Sequence, residues 1–259
     1  MKRTVIDTTG DATAHSDDGS HRWPAWAVPQ VLDAVEIARR IEGGARSTAT
    51  ELYRRWFTPV VDDTKLPRRP LAGVYRAAHA GSARRRLEGG LPVVQRNDMV
   101  GRDGWWRTWG GAWMPTRSRE QCVRLVLTPR TDRLGEFVSS TTHALLDSDA
   151  PWLLAMSTDP RRVRRTSAAV LYLPDVAALG GLADEIVPLL LPVTSPLCVR
   201  VAPGIAAASV PGNGMSFGEH RSHLIALALT APNAAAAPLH AVADVFTKHG
   251  LDPRHPHRS

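Results

Sequence analysis

The sequence predicts an α+β fold: a helical N-terminal third, followed by a mixed or antiparallel sheet flanked by helices. Three observations carry this expectation. Between residues 23 and 90, apolar side chains recur every three or four positions, and the segments holding them stop at glycine pairs. From about residue 91 the texture changes to short apolar or alternating runs bounded by Pro, Gly, Ser and Asp. Beyond residue 215, helical spacing returns.

Residues 1–22 are polar, poor in aliphatic side chains and expected to be loose. "AWAVPQVLDAVEIARRIEGG" sets Val28, Val31, Leu32, Val35, Ala38 and Ile41 at helical spacing and stops at Gly43 and Gly44. "STATELYRRWF" follows, with Ser47 and Thr48 available as caps. A proline-bearing connection leads to "VYRAAHAGSARRRLEGG", a helix closed by Gly89 and Gly90. "QCVRLVLTP" alternates as a strand, and "DRLGEFVSSTTHALLDSD" has helical spacing. "PWLLAMST" and "SAAVLYLPD" are further strands, and "VAALGGLADEIVPLL" is a helix despite its glycines. "PLCVRVAPGIAAASVPG" supplies one or two strands, before helices over 216–232 and 237–249. The tail "LDPRHPHRS" is broken by prolines and is expected to be loose rather than metal-binding. The predicted organisation is a flexible segment over 1–22, a helical part over 23–90, an α+β domain over 91–250 with helices on one side of its sheet, and a flexible tail over 251–259.

At 259 residues with 43% hydrophobic content, the chain can bury a substantial core. No apolar run reaches the roughly 18 residues of a membrane span, and the first residues lack the apolar centre of a secretory signal. A cytoplasmic protein without membrane contact is expected. Cys122 and Cys198 lie in apolar segments without zinc-type spacing, so they read as core residues and no metal site is expected. Of 32 basic residues only Lys2, Lys65 and Lys248 are lysines, which leaves 29 arginines. Arginine holds its charge and grips phosphate or carboxylate with two prongs. A G- and C-rich genome gives the same bias, so the count alone does not establish an anionic partner. A mechanism that requires a lysine has few candidates.

"PGNGMSFGEHRSHLIALAL", residues 211–229, is the most informative stretch. Ser216 and Glu219 stand three apart, the spacing of a capping box, so a helix starts here. Glycines before that start, Gly214 among them, expose backbone N–H groups where the helix dipole favours an anion, and Arg221 is available to add a charged fork. Without a following Gly-Lys-Ser/Thr the glycines do not make a nucleotide loop, and no cofactor is expected. Arg161, Arg162, Arg164 and Arg165 precede a strand; most are expected in solvent, with one or two turned inward beside Arg200 and Arg221. "GRDGWWRTWGGAWMP" holds Trp105, Trp106, Trp109 and Trp113, readable as a peptide-groove wall, a nucleic-acid platform, or a hairpin packing its indoles on the helical third. His143, His220 and His223 are acid or base candidates near neutral pH.

Six segments, in order, resemble one family: "ELYRRWF", "LAGVYRAAHAGSARR", "GWWRTWG", "VRLVLTP", "PWLLAMSTDPRRVRRTSAAVLYLPD" and "VAPGIAAASVPGNGMSFGEHRSHLIALAL". The chain is similar to the type III effector Hop A family, whose relatives act as the lyase component in class V lanthipeptide and thioamitide biosynthesis. The resemblance implies a phosphoserine or phosphothreonine lyase that acts after a kinase on a ribosomally made precursor peptide, leaving dehydroalanine or dehydrobutyrine. On that reading Arg165, Arg200, Arg221, Gly214 and Ser216 are expected at the phosphate, His220 or His223 as a replacement for the family's base or as the acid, and Trp105, Trp106 and Trp109 at the peptide. This sequence departs from the family pattern at several polar positions. Ala155 stands where a lysine is expected, Arg165-Thr166-Ser167 replaces Arg-x-Asp, and Val210 and Met215 replace acidic residues. Two readings follow: an active lyase, or a non-catalytic member that binds the precursor peptide or docks the kinase. Nucleic acid is not the expected partner.

Overall fold

The computed structural model describes residues 19–88, 98–110, 113, 122–146, 150–211, 213–231 and 234–258. The Gly89-Gly90 stop, the boundary near residue 91 and Gly212 therefore lie outside the described residues. The helices are α1 (Val28–Arg39), α2 (Ala45–Leu52), α3 (Leu71–Glu88), α4 (Leu134–Leu146), α5 (Leu182–Ile186), α6 (Phe217–Leu229) and α7 (Pro238–Lys248). The strands are β1 (Asp98–Val100), β2 (Trp105–Gly110), β3 (Val123–Leu127), β4 (Trp152–Ser157), β5 (Ala169–Leu173), β6 (Val199–Ala202) and β7 (Ile205–Ala208). They form one sheet in the order β1-β2-β4-β5-β3-β7-β6, each neighbouring pair antiparallel. The fold is α+β, as the sequence predicts.

Strand periodicity of two sorts side chains between the sheet's faces. On one face Trp106, Leu154, Met156, Leu171, Leu125, Leu127 and Ile205 form a core with Tyr75 of α3, Phe137 and Val138 of α4, and Ile186 of α5. On the other, Val126, Ala206 and Ala208 meet Val31 and Ala34 of α1, Leu52 of α2, Phe217 and Leu224 of α6 and Phe246 of α7. Helices thus lie on both faces of the sheet rather than on one. The second face is covered unevenly. At β4 and β5 its side chains Leu153, Ala155, Val170 and Tyr172 belong to a separate small cluster with Trp113 and Cys122, flanked by the half-buried Trp105, Trp109 and Val210. Between that cluster and the ends of α2 and α6 the sheet lies open as a cleft.

Two further expectations are corrected. The helix expected over "VAALGGLADEIVPLL" is three short pieces: a 3-10 turn at Ala177–Leu179, α5, and a second 3-10 turn at Val187–Leu189. Gly180 takes φ of 37° and Pro188 cannot donate a helical hydrogen bond, so neither junction continues an α-helix. The tail is held, with Leu251, Pro253 and Pro256 buried. Its carbonyl oxygens explain this: His257 O accepts from Ser209 N at 2.9 Å and Ser209 Oγ at 3.1 Å, and Pro256 O accepts from Arg221 Nε at 2.9 Å. At the other end of the described chain, Arg22 pairs with Asp244, and the buried indole of Trp23 donates to Leu239 O. Among the described residues, no helix is long and apolar enough to cross a membrane.

Candidate functional site

The cleft has a volume of about 400 Å³ and four sides, each built by a local feature of the sequence. Helix α2 runs into a π-helical turn over Tyr53–Phe57, closed by Thr58 N donating to Tyr53 O at 2.8 Å. Such wide turns are rare and concentrate at functional sites; this one sets Tyr53, Arg54 and Phe57 along the rim. Facing it is the loop after β4, which supplies Asp159, Arg161, Arg162, Arg165, Thr166 and Ser167. The loop is stitched to the π-turn: Arg165 Nη1 donates to Arg54 O at 2.6 Å and Thr58 O at 2.7 Å, and Thr166 Oγ1 donates to Phe57 O at 2.9 Å. Ser167 holds φ of 62°, uncommon for a residue with a side chain, while its hydroxyl meets that of Ser195 at 2.5 Å.

The start of α6 forms the third side. Ser216 and Glu219 complete the predicted capping box, with Glu219 N donating to Ser216 Oγ at 3.3 Å and Ser216 N to Glu219 Oε2 at 2.9 Å. Both residues line the cleft. Gly218 brings this helix start against Phe57, since a Cβ added at 218 would sit 2.1 Å from the Phe57 ring. The floor is the open sheet face. There Trp105 carries the Arg162 guanidinium 5.6 Å from its ring centroid, and Arg124 rises from the interior strand β3.

Arg124 is the feature that sequence reading missed. It is 9% exposed, and its Nε is buried without a hydrogen-bond partner among the described residues. A buried donor without a partner is costly, and because Arg124 lines the cleft an anion bound there would offset that cost. Five arginines and two carboxylates, Asp159 and Glu219, line the cleft, which leaves it positive. Burial raises the pKa of Tyr53 above the usual phenol value, with the Glu219 carboxylate adding to the rise and Arg162 and Arg124 opposing it. Tyr53 therefore stays protonated and can donate a hydrogen bond to an anion.

Of the candidates named from sequence, Arg165, Ser216 and Trp105 line the cleft. Trp109 shares the face of Trp105 and packs beside the small apolar cluster. Trp106 points the opposite way, packing on Tyr75 at 5.6 Å and donating to Asp98 Oδ2 at 3.0 Å, as the hairpin reading requires. Gly214 takes φ of 78° in the turn before α6 and is exposed. Arg200 is exposed on the edge strand β6 and does not line the cleft. Arg221 is fully buried and faces away from it. Besides Pro256 O, its guanidinium donates to Arg258 O at 2.5 Å and His220 Nδ1 at 2.8 Å, over the rings of Phe217 and Phe246 at 4.6 and 5.6 Å. Burial lowers its pKa to about 10. Burial first, then the charge of Arg221, hold His220 down to about 4. Neither His220 nor His223 lines the cleft, and no lysine does so among the described residues. Cys198 is a buried core thiol, pushed up to about 12 by burial.

A sequence model of the HopA1 effector protein family matches residues 112–258, more than half of the chain. Two solved structures share the fold. One is an effector protein from Pseudomonas syringae pv. tomato strain DC3000, with a TM-score of 0.61 at 12% identity, covering 89% of this chain and 96% of that one. The other is an effector protein from Pseudomonas syringae pv. syringae strain 61, with a TM-score of 0.59 at 14% identity, covering 90% and 96%. No curated protein matches.

Proposed function

The chain belongs to the HopA1 effector protein family, and from that premise we propose that its cleft binds the phosphoryl group of a phosphorylated serine or threonine in a ribosomally made precursor peptide, after a kinase has acted. The observation that carries the reading is Arg124, a buried side chain on the floor of a positive cleft whose Nε has no hydrogen-bond partner among the described residues. A phosphate monoester brings about two negative charges at neutral pH and acceptor oxygens for a fork of N–H donors. Arg162 and Arg165 line the same cleft as Arg124, Tyr53 offers a hydroxyl, and the capped start of α6 adds the positive end of a helix dipole.

The geometry supports best a lyase-like protein that holds the phosphopeptide, serving as the precursor-binding or kinase-docking subunit of a modifying complex. Elimination needs a base to take the weakly acidic α-proton while the C–O bond breaks and phosphate leaves with the electron pair. Among the described lining residues no lysine or histidine is there to do so. Active elimination is the second reading, favoured by the two carboxylates, Asp159 and Glu219, that line the same cleft as the neutral Tyr53. Mass spectrometry of a phosphothreonine peptide incubated with the protein separates the two. Binding without a mass change supports the binding subunit, whereas loss of phosphoric acid that disappears in Asp159→Asn or Glu219→Gln supports the lyase. Peptide affinity that ignores phosphorylation overturns both.

A further inference from the structure

Beside the main cleft, and opening into it, lies a second chamber of about 140 Å³ lined by Trp105, Arg107, Arg124, Ala155, Val170, Tyr172 and Ser216. Trp105, Arg124 and Ser216 belong to both spaces. We propose that this chamber is a side-chain subsite that accepts one medium-sized apolar side chain, of the size of leucine or phenylalanine, from the residue next to the phosphorylated one. The inference rests on the phosphopeptide reading of the cleft.

Three observations support it. The floor is apolar and tightly placed: Ala155 pairs with Val170 across the sheet and with Arg107 on the other side, and Ala155, Val170 and Tyr172 are each nine-tenths buried or more. The charges around it are already spoken for. Arg107 is held by Asp103 through two hydrogen bonds, and the same pairing lowers the Asp103 carboxyl below its ordinary value. Arg124 is the remaining cation, and a phosphoryl group bound at the junction neutralises it. With phosphate in place the chamber holds no unpaired charge, which disfavours an acidic or basic side chain by desolvation. Its size also fits, because an apolar cavity of about 150 Å³ can hold a benzene ring. Consecutive Cα atoms are about 3.8 Å apart, so a phosphoryl group on Arg124 brings the adjoining residue to the chamber mouth. The small side chain at 155 leaves the chamber open, and anything larger there would fill it.

The test compares labelled phosphothreonine hexapeptides by fluorescence anisotropy, with leucine before or after the phosphothreonine and alanine elsewhere, an all-alanine flank, and unphosphorylated versions of each. Leucine on one of the two sides is expected to tighten binding about 10- to 30-fold over alanine. Ala155→Leu should erase that preference while the dependence on phosphorylation remains. Tyr172→Ala enlarges the chamber and should move the preference from leucine toward tryptophan. Phosphorylation-dependent binding that treats leucine and alanine flanks alike overturns the subsite and leaves the phosphate reading standing. A leucine preference that survives Ala155→Leu also overturns it. If phosphorylation changes the affinity of none of these peptides, the phosphate reading and the subsite fall together.

Discussion

Arg124 and Arg221 are both buried guanidiniums on the same side of the sheet, and they live under opposite conditions. Arg221, at the tail, spends its donors on Pro256 O, Arg258 O and His220 Nδ1 and lies over two phenyl rings. Arg124, in the cleft, has a buried Nε with nothing to donate to among the described residues. The desolvation of a buried guanidinium is offset at 221 by the protein itself. At 124 no described residue offsets it, and the proposed phosphoryl group would. Burial of an arginine therefore does not by itself point to a binding residue; what sets Arg124 apart is an unspent donor on a residue that lines the cleft.

The comparison is broken most directly at Arg221. Arg221→Ala strips two carbonyls of their donor and leaves a void between Phe217 and Phe246, so about 3–4 kcal/mol of stability should be lost in a urea titration. A loss under about 1 kcal/mol would mean that the tail is not held there. Arg124→Met should act the other way round. Phosphopeptide affinity falls at least about 30-fold, or about 2 kcal/mol, while the melting temperature stays level or rises because an unpaired buried charge is gone. A melting temperature that falls along with affinity would make Arg124 a structural residue like Arg221. Gly218→Ala presses a methyl group into Phe57 and should cost about 1–3 kcal/mol by overpacking, with weaker peptide binding as α6 is pushed off the π-turn; Phe57→Leu in the same chain should restore part of both.

The smallest expected effect is on the pH dependence. His220 has its folded pKa depressed from 6.5 to about 4, so between those values the unfolded chain binds the proton and the folded chain does not. Stability therefore falls as pH drops through that window and is unaffected by this group above it. His257, lowered by its own burial and then by Arg258, works in the same direction. Thermal melts of His220→Gln between pH 7 and pH 4 should show a shallower loss than the parent chain; an unchanged slope would place the acid sensitivity elsewhere.

What the sequence disclosed follows from how local the signal is. The capping box at Ser216 and Glu219 depends on residues three apart, and it is present as read. The strand alternation of "VRLVL" is also local, yet it contained the site: Leu125 and Leu127 mark the core face, which leaves Arg124 on the other face of an interior strand. A lone arginine between apolar strand residues was the available signal. Arg221 misled for a geometric reason. At 100° per residue it lies about 200° around the helix from Glu219, so a helix whose Glu219 meets the cleft turns Arg221 to the opposite side. The spacing of the four loop arginines could not tell which would turn inward, because that depends on Arg54 O and Thr58 O, more than a hundred positions earlier in the chain. The tail's one local signal was Asp252, whose carboxylate accepts from Arg254 N at 2.9 Å, but what ties the tail to the rest of the fold is its carbonyl oxygens, which every sequence possesses.

A tail held through its backbone constrains how the chain can diverge. Residues 252–258 are gripped through backbone oxygens, and Asp252, Arg254, His255 and Arg258 leave their side chains exposed. Drift at Arg254 and Arg258 would leave the grip intact, whereas Asp252 also shapes the turn by accepting from Arg254 N and pairing with His255 Nδ1. A change in the number of residues between Leu251 and Pro256 would carry the oxygens out of reach of Arg221. Selection on this segment should thus act on spacing and on the two prolines more than on side-chain identity.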